Sequence, residues 1–263
     1  MSENPQWWDT RALIPDYRDI MVGERGWKPK AAAYREQHPP RELRYGQGER
    51  HTLDLFDTGT DLPPLLFIHG GFWHAPLNKS FFSHLATGPN ALGIPVGVMS
   101  YDLCPEVSID EILEQTVKAA RLLIERFGEI VVSGHSAGGH AVAHLLSQPG
   151  VKAGYAISAV SDLRTLIHAP FNTALKLDAA AAQRLSPLFW EPPKGKTLDA
   201  VVGALEHEGF REQTARLAQA WEQQGVLIRT SEIPGSHHLS VIDGLADPNS
   251  PMSQRILEMV ETK

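Results

Sequence analysis

Ile130-Val131-Val132-Ser133-Gly134-His135-Ser136-Ala137-Gly138-Gly139-His140-Ala141 joins two kinds of pattern within twelve residues. The apolar run Ile130 to Ser133 has the length of a buried parallel strand, and Ala137 to Leu146 reads as the apolar face of a helix. Between them, Gly134-His135-Ser136-Ala137-Gly138 matches G-x-S-x-G, a serine set on a sharp strand-to-helix turn. The turn strains the serine backbone, and a Cβ at either flanking glycine is expected to clash. What the turn provides is an exposed hydroxyl at the carboxyl end of the sheet. It also leaves the Ala137 N–H free at a helix N-terminus, where negative charge is favoured. The plainer reading is a Gly/Ser turn that merely starts a helix.

Outward from this turn, strands and helices alternate. Glu42 to Tyr45 and His51 to Phe56 read as paired edge strands around Gly46-Gln47-Gly48. Buried strands are expected at Pro64 to His69, Val96 to Ser100, Gly154 to Val160, Asp199 to Gly203 and Val226 to Glu232. Helices are expected at Ile109 to Phe127, Phe210 to Gln223 and Ser253 to Glu261. Continuous apolar strands separated by helices imply an α/β fold, a mostly parallel sheet covered on both sides. Residues 1–40 are irregular in pattern, with Trp7, Trp8, Tyr17 and Trp27 among charges and a Pro39-Pro40 stop, and are expected to pack onto the domain. From Ser161 to Gly195 the rhythm breaks, as for a lid-like insertion over the carboxyl end of the sheet. One domain over 1–263 is the economical organisation.

The bulk properties of the 263 residues narrow the class. A hydrophobic content of 42% with 21% charged residues is ordinary for a globular protein. A net charge of −7 argues against a nucleic-acid or anionic-membrane surface. The single cysteine, Cys104, rules out an internal disulfide and suits a reducing compartment. No signal-peptide pattern opens the chain and no run of 18 apolar residues follows, so a cytoplasmic protein is expected. Twelve histidines raise the question of a metal. His207-Glu208 lacks the second histidine of a zincin helix and there is no C-x-x-C, so no metal or organic cofactor is expected.

A serine nucleophile needs an oxyanion hole, a base and an orienting acid. His69-Gly70-Gly71-Phe72-Trp73 follows a buried strand, so the N–H groups of Gly70 and Gly71, with that of Ala137, are the candidate oxyanion donors. The base belongs after the last strand, where Gly235-Ser236-His237-His238-Leu239-Ser240 stands. His238 is favoured because it precedes Leu239, Val241 and Ile242, and His237 is the alternative. The acid belongs past the preceding strand, which points to Glu206, with Glu208 and Asp199 as competitors. Phe72, Trp73, Phe171 and Trp190 are candidates to line a pocket for a flat substrate.

With these residues in place the chain resembles an α/β-hydrolase of the esterase/lipase type, and more narrowly the kynurenine formamidase (arylformamidase) group. The resemblance runs from about Pro5 to the end. It is carried by His69 to Trp73, Tyr101-Asp102-Leu103-Cys104-Pro105, Gly134 to His140, Ser161-Asp162-Leu163-Arg164, Ser186-Pro187-Leu188 and His238 to Ile242. The chain departs from the group at Gly203-Ala204-Leu205-Glu206, where an aspartate is usual. The resemblance implies hydrolysis of N-formyl-L-kynurenine to kynurenine and formate by a small-molecule enzyme of tryptophan catabolism. The residues alone imply only acyl transfer to water through a serine ester. A broad carboxylesterase for short acyl esters and a non-catalytic hydrolase-like binding module are the alternatives. The oligomeric state, homodimer included, is open.

Overall fold

Leu65–Ile68 and Ile130–His135 lie side by side as parallel strands, with Leu65 opposite Val131 and Ile68 opposite Gly134. Every residue of both is buried, as strands covered on two faces must be. The computed structural model describes Trp8 and residues 10–262, so Trp7 lies outside the described residues. The strands are β1 (Arg41–Arg44), β2 (Thr52–Phe56), β3 (Leu65–Ile68), β4 (Val96–Met99), β5 (Ile130–His135), β6 (Val151–Ile157), β7 (Thr197–Gly203) and β8 (Leu227–Ile233). They form one sheet in the order β1-β2-β4-β3-β5-β6-β7-β8. β1 pairs antiparallel with β2 and β2 antiparallel with β4, while the remaining pairs are parallel. This is the α/β hydrolase fold.

Alternation divides the core into two layers. Leu65 and Phe67 of β3 face a cluster with Phe82, Ile242 and Ile256. Leu66 and Ile68 face the opposite cluster with Ile112, Val142 and Leu217. Burying each of these side chains contributes about 1.5–3 kcal/mol before chain entropy is subtracted. The helix Ile109–Phe127 shows how local sequence supports the layers. Ser108 and Glu111 cap its start reciprocally, and Gly128, at φ 85°, ends it.

Two expectations are corrected. Residues 10–37 are not irregular: they form helices Thr10–Leu13, Tyr17–Val22 and Trp27–Gln37. The last buries only Trp27, Ala31 and Tyr34, a stripe too narrow to stand out among its polar residues. β6 starts at Val151 and stops at Ile157, three residues before the expected bounds at each end. Lys152 interrupts the apolar pattern, but its Nζ donates to the Val260 carbonyl at 2.8 Å, and the strand ends because Ser158 turns to φ 50°. The segment 161–195 is a series of short helical turns, at Leu163–Leu166, Asn172–Leu175, Ala179–Arg184 and Pro187–Phe189. Its start is bonded to the helix Glu208–Glu222. Gln213 Oε1 accepts the N–H groups of Ser161 and Asp162, while the buried Asp162 carboxylate receives Arg164 and Arg216.

Candidate active site

Ser136 sits between β5 and the helix Ala137–Leu145 at φ 56° and ψ −115°, a conformation that a non-glycine residue holds only when its surroundings force it. Both flanking glycines are required. A β-carbon on Gly134 would lie 2.4 Å from the Gly138 carbonyl oxygen, and one on Gly138 would lie 2.0 Å from that of Ile68. The Ser136 N–H donates to the Ile157 carbonyl at 2.8 Å, pinning the turn to β6. Its Oγ is buried and has no hydrogen-bond partner among the described residues.

The glycine turn after β3 closes against this serine. A β-carbon on Gly70 would lie 2.8 Å from the His135 carbonyl oxygen and 3.0 Å from the Ser136 Cβ. Gly71, Phe72 and Trp73 all have positive φ, at 112°, 47° and 58°. His69 anchors the turn: its ring stacks on Tyr101 with centroids 4.2 Å apart, and its Nδ1–H donates to the Gly70 carbonyl at 2.8 Å. Burial lowers the His69 pKa to about 3, so the ring stays neutral. The Tyr101 hydroxyl in turn donates to the His69 carbonyl at 2.8 Å. Gly70, Gly71 and Ser136 line one cavity; Ala137, buried, takes the first position of the helix beside it.

His238 and Glu206 meet across 32 residues of chain. Glu206 Oε2 lies 2.7 Å from His238 Nδ1 and can only accept, so the imidazole carries its proton on Nδ1 and leaves Nε2 as an acceptor. Phe210 stacks on the His238 ring with centroids 4.0 Å apart, and the His135 ring lies 4.5 Å away on centroids. Burial and the adjacent His238 keep His135 neutral, its pKa well below the usual histidine range. The competing residues are engaged elsewhere. His237 Nδ1 accepts the N–H groups of Leu239 and Ser240, at the start of the turn Ser240–Ala246. Asp199 forms a two-point pair with Arg255 at 2.9 and 3.0 Å, and Glu208 is exposed at the start of its helix.

Ser136 and His238 share a cavity of about 240 Å³. Phe72 and Phe171 lie on its wall with rings stacked 4.5 Å apart on centroids. Trp73 and Trp190 are not in its lining. Trp73 is fully buried in a T-shaped contact with His140. Trp190 faces a separate groove with Asp110, His144 and Arg184. The sequence reading missed the N-terminal helices as wall: Trp8, Thr10, Tyr17, Met21 and Trp27 all reach the cavity. Their aromatic density was the one signal available. Among the described residues no group of three or more His, Cys, Asp or Glu gathers where a metal ion would fit, and no helix is long and apolar enough to cross a membrane.

The chain is similar to known proteins over most of its length. A kynurenine formamidase of Salmo salar is 27% identical over 236 residues, covering 82% of this chain and 80% of that protein. One of Drosophila melanogaster is 28% identical over 245 residues, with coverage of 83% and 80%. The crystal structure of a candidate thioesterase from Silicibacter sp. tm1040 superposes with a TM-score of 0.87 at 35% identity, covering 96% of this chain and 98% of that one. Residues 65–242, the span holding Gly70, Ser136, Glu206 and His238, match the family model described as alpha/beta hydrolase fold, and the chain belongs to that family.

Proposed function

We propose that this protein is a serine hydrolase that removes the formyl group from N-formyl-L-kynurenine, giving L-kynurenine and formate. The observation that carries the reading is the buried Glu206–His238 pair, whose His238 opens onto the same cavity as the Ser136 hydroxyl, which has no partner among the described residues. The resemblance to kynurenine formamidases supports the choice of acyl group.

In this reading His238 Nε2 takes the Ser136 proton as Oγ attacks the formyl carbon. The N–H groups of Gly70, Gly71 and Ala137 receive the developing oxyanion. The imidazolium, stabilised by Glu206, then protonates the departing aryl amine. A water molecule, deprotonated by His238, attacks the formyl-serine ester, releasing formate and restoring Ser136. Phe72 and Phe171 hold the aromatic ring, with Pro170 and Phe171 of the 161–195 segment roofing it as a lid.

A second reading, hydrolysis of short uncharged acyl esters, is favoured by one feature. No Lys, Arg, Asp or Glu is among the described residues that line the cavity, so none there is matched to an amino-acid head group. Steady-state kcat/KM on N-formylkynurenine against p-nitrophenyl acetate separates the two. Preference for the formamide supports the first reading; turnover of the ester alone moves the assignment to the second.

A further inference from the structure

Ser158, at the end of β6, is fully buried and held at φ 50°. Its backbone N–H donates to the Val201 carbonyl at 2.6 Å, so the residue is fixed between β6 and β7. Its hydroxyl donates to Glu206 Oε1 at 2.5 Å. The same oxygen accepts the Gly203 N–H at 2.7 Å, while Oε2 takes His238. The Glu206 side chain is fully buried, so these three donors replace water around its charge.

The geometry points to Ser158 as a positioning residue of the site, an inference that rests on reading Ser136, His238 and Glu206 as a catalytic triad. Glutamate has one more side-chain torsion than aspartate, so its carboxylate plane needs more constraint to present one oxygen to the imidazole. A single N–H from Gly203 fixes a point but leaves rotation about it. The second donor, coming from a different strand, removes that rotation and aims Oε2 at Nδ1. Ser158 does not line the cavity, so it acts through Glu206 rather than on substrate. Glycine would satisfy φ 50° without strain, and among the described residues the hydroxyl's hydrogen-bond partner is Glu206. The hydroxyl thus secures the long side chain of Glu206.

The test uses the full chain and compares Ser158→Ala and Ser158→Gly, each in the wild-type and the Glu206→Gln backgrounds. The rate of fluorophosphonate labelling at Ser136 is read together with kcat and KM for p-nitrophenyl acetate and with Tm. Both variants should label about 10- to 100-fold more slowly, the span expected for one hydrogen bond to a charged group. KM should stay within about two-fold of wild type, because orientation of the base matters in the transition state. Ser158→Gly should have a Tm at or above that of Ser158→Ala, since it relieves the backbone, and still be slow. In Glu206→Gln, Ser158→Ala should slow labelling no further, as expected if the two act as one unit. Wild-type labelling in either variant, or an equal loss in both backgrounds, overturns the inference. Failure to turn over N-formylkynurenine would leave it standing, because labelling needs only the serine and its base. A wild-type protein that does not label overturns the triad and this role together.

Discussion

Gly138 and Ile68 are in backbone contact so close that a β-carbon on the glycine would fall 2.0 Å from the Ile68 carbonyl oxygen. No side chain can yield there, because both partners are main chain. The helix that follows Ser136 is therefore seated on the end of β3, where the Gly70-Gly71 turn begins. The serine and the Gly70-Gly71 turn form one rigid unit, although Gly71 stands 65 positions before Ser136 in the sequence.

Gly138→Ala should separate those parts. Overpacking against backbone costs about 3 kcal/mol or more, since neither strand nor helix can retreat. Gly128→Ala is the control: its φ is 85° but no atom lies within 4 Å of the added carbon, so backbone strain of about 1–3 kcal/mol is the main penalty. Calorimetry should show the larger Tm loss for Gly138→Ala, accompanied by lost activity.

The adjacent histidines should part company on substitution. His238→Ala removes the proposed base and should cut kcat by about 10³-fold or more, with the fold retained. His237→Ala removes the acceptor of two N–H groups and should cost about 1 kcal/mol of stability with turnover little changed. Paired kinetics and melting curves check both; a reversed ranking moves the base to His237.

Glu206→Gln should lower kcat by about 10²-fold or more with KM little changed, because an amide can turn an N–H toward Nδ1 and upset the tautomer. Glu206→Asp tests the longer stem. Gly203 N–H and the Ser158 hydroxyl are set for a glutamate oxygen, so the shorter acid should also lose about 10-fold or more, despite matching the residue usual in the kynurenine formamidase group. Turnover of Glu206→Asp at or above wild type would show that the loop has not adapted.

Much of this site was legible because its signals are local. G-x-S-x-G between a strand and a helix, and Gly-Gly after β3, each fix a turn within a few residues, and His238 could be ranked over His237 from the apolar positions that follow it. What was illegible depends on contacts between distant segments. Trp8 reaches Phe72 and Phe210 edge-on, at 6.4 and 5.0 Å between centroids, and nothing in its neighbourhood announces either partner. Ser158 carries no motif, and its role follows only from the meeting of β6 and β7. Trp73 and Trp190 were assigned to the pocket by residue type, whereas Trp73 packs on His140 and Trp190 lines a separate groove.

Stability should fall as the solution is acidified from about pH 6.5. Burial lowers the His69 pKa to about 3 and those of His84 and His140 to about 4. Below pH 6.5 the unfolded chain takes up protons that the native state refuses, so each group can remove up to about 1.4 kcal/mol per pH unit. The loss should continue down to the native pKa values near pH 4 and 3. Urea melts between pH 7 and 4 should show the midpoint declining through this window, and His140→Gln should reduce the slope.

The most direct test of the account is where a fluorophosphonate attaches. Intact mass and peptide mapping of the treated protein should show one adduct, on the peptide containing Ser136. Ser136→Ala should abolish it, and His238→Ala should slow it by orders of magnitude. An adduct on another serine, or no adduct on a folded wild-type protein, would contradict the assignment of Ser136, His238 and Glu206 as a catalytic site.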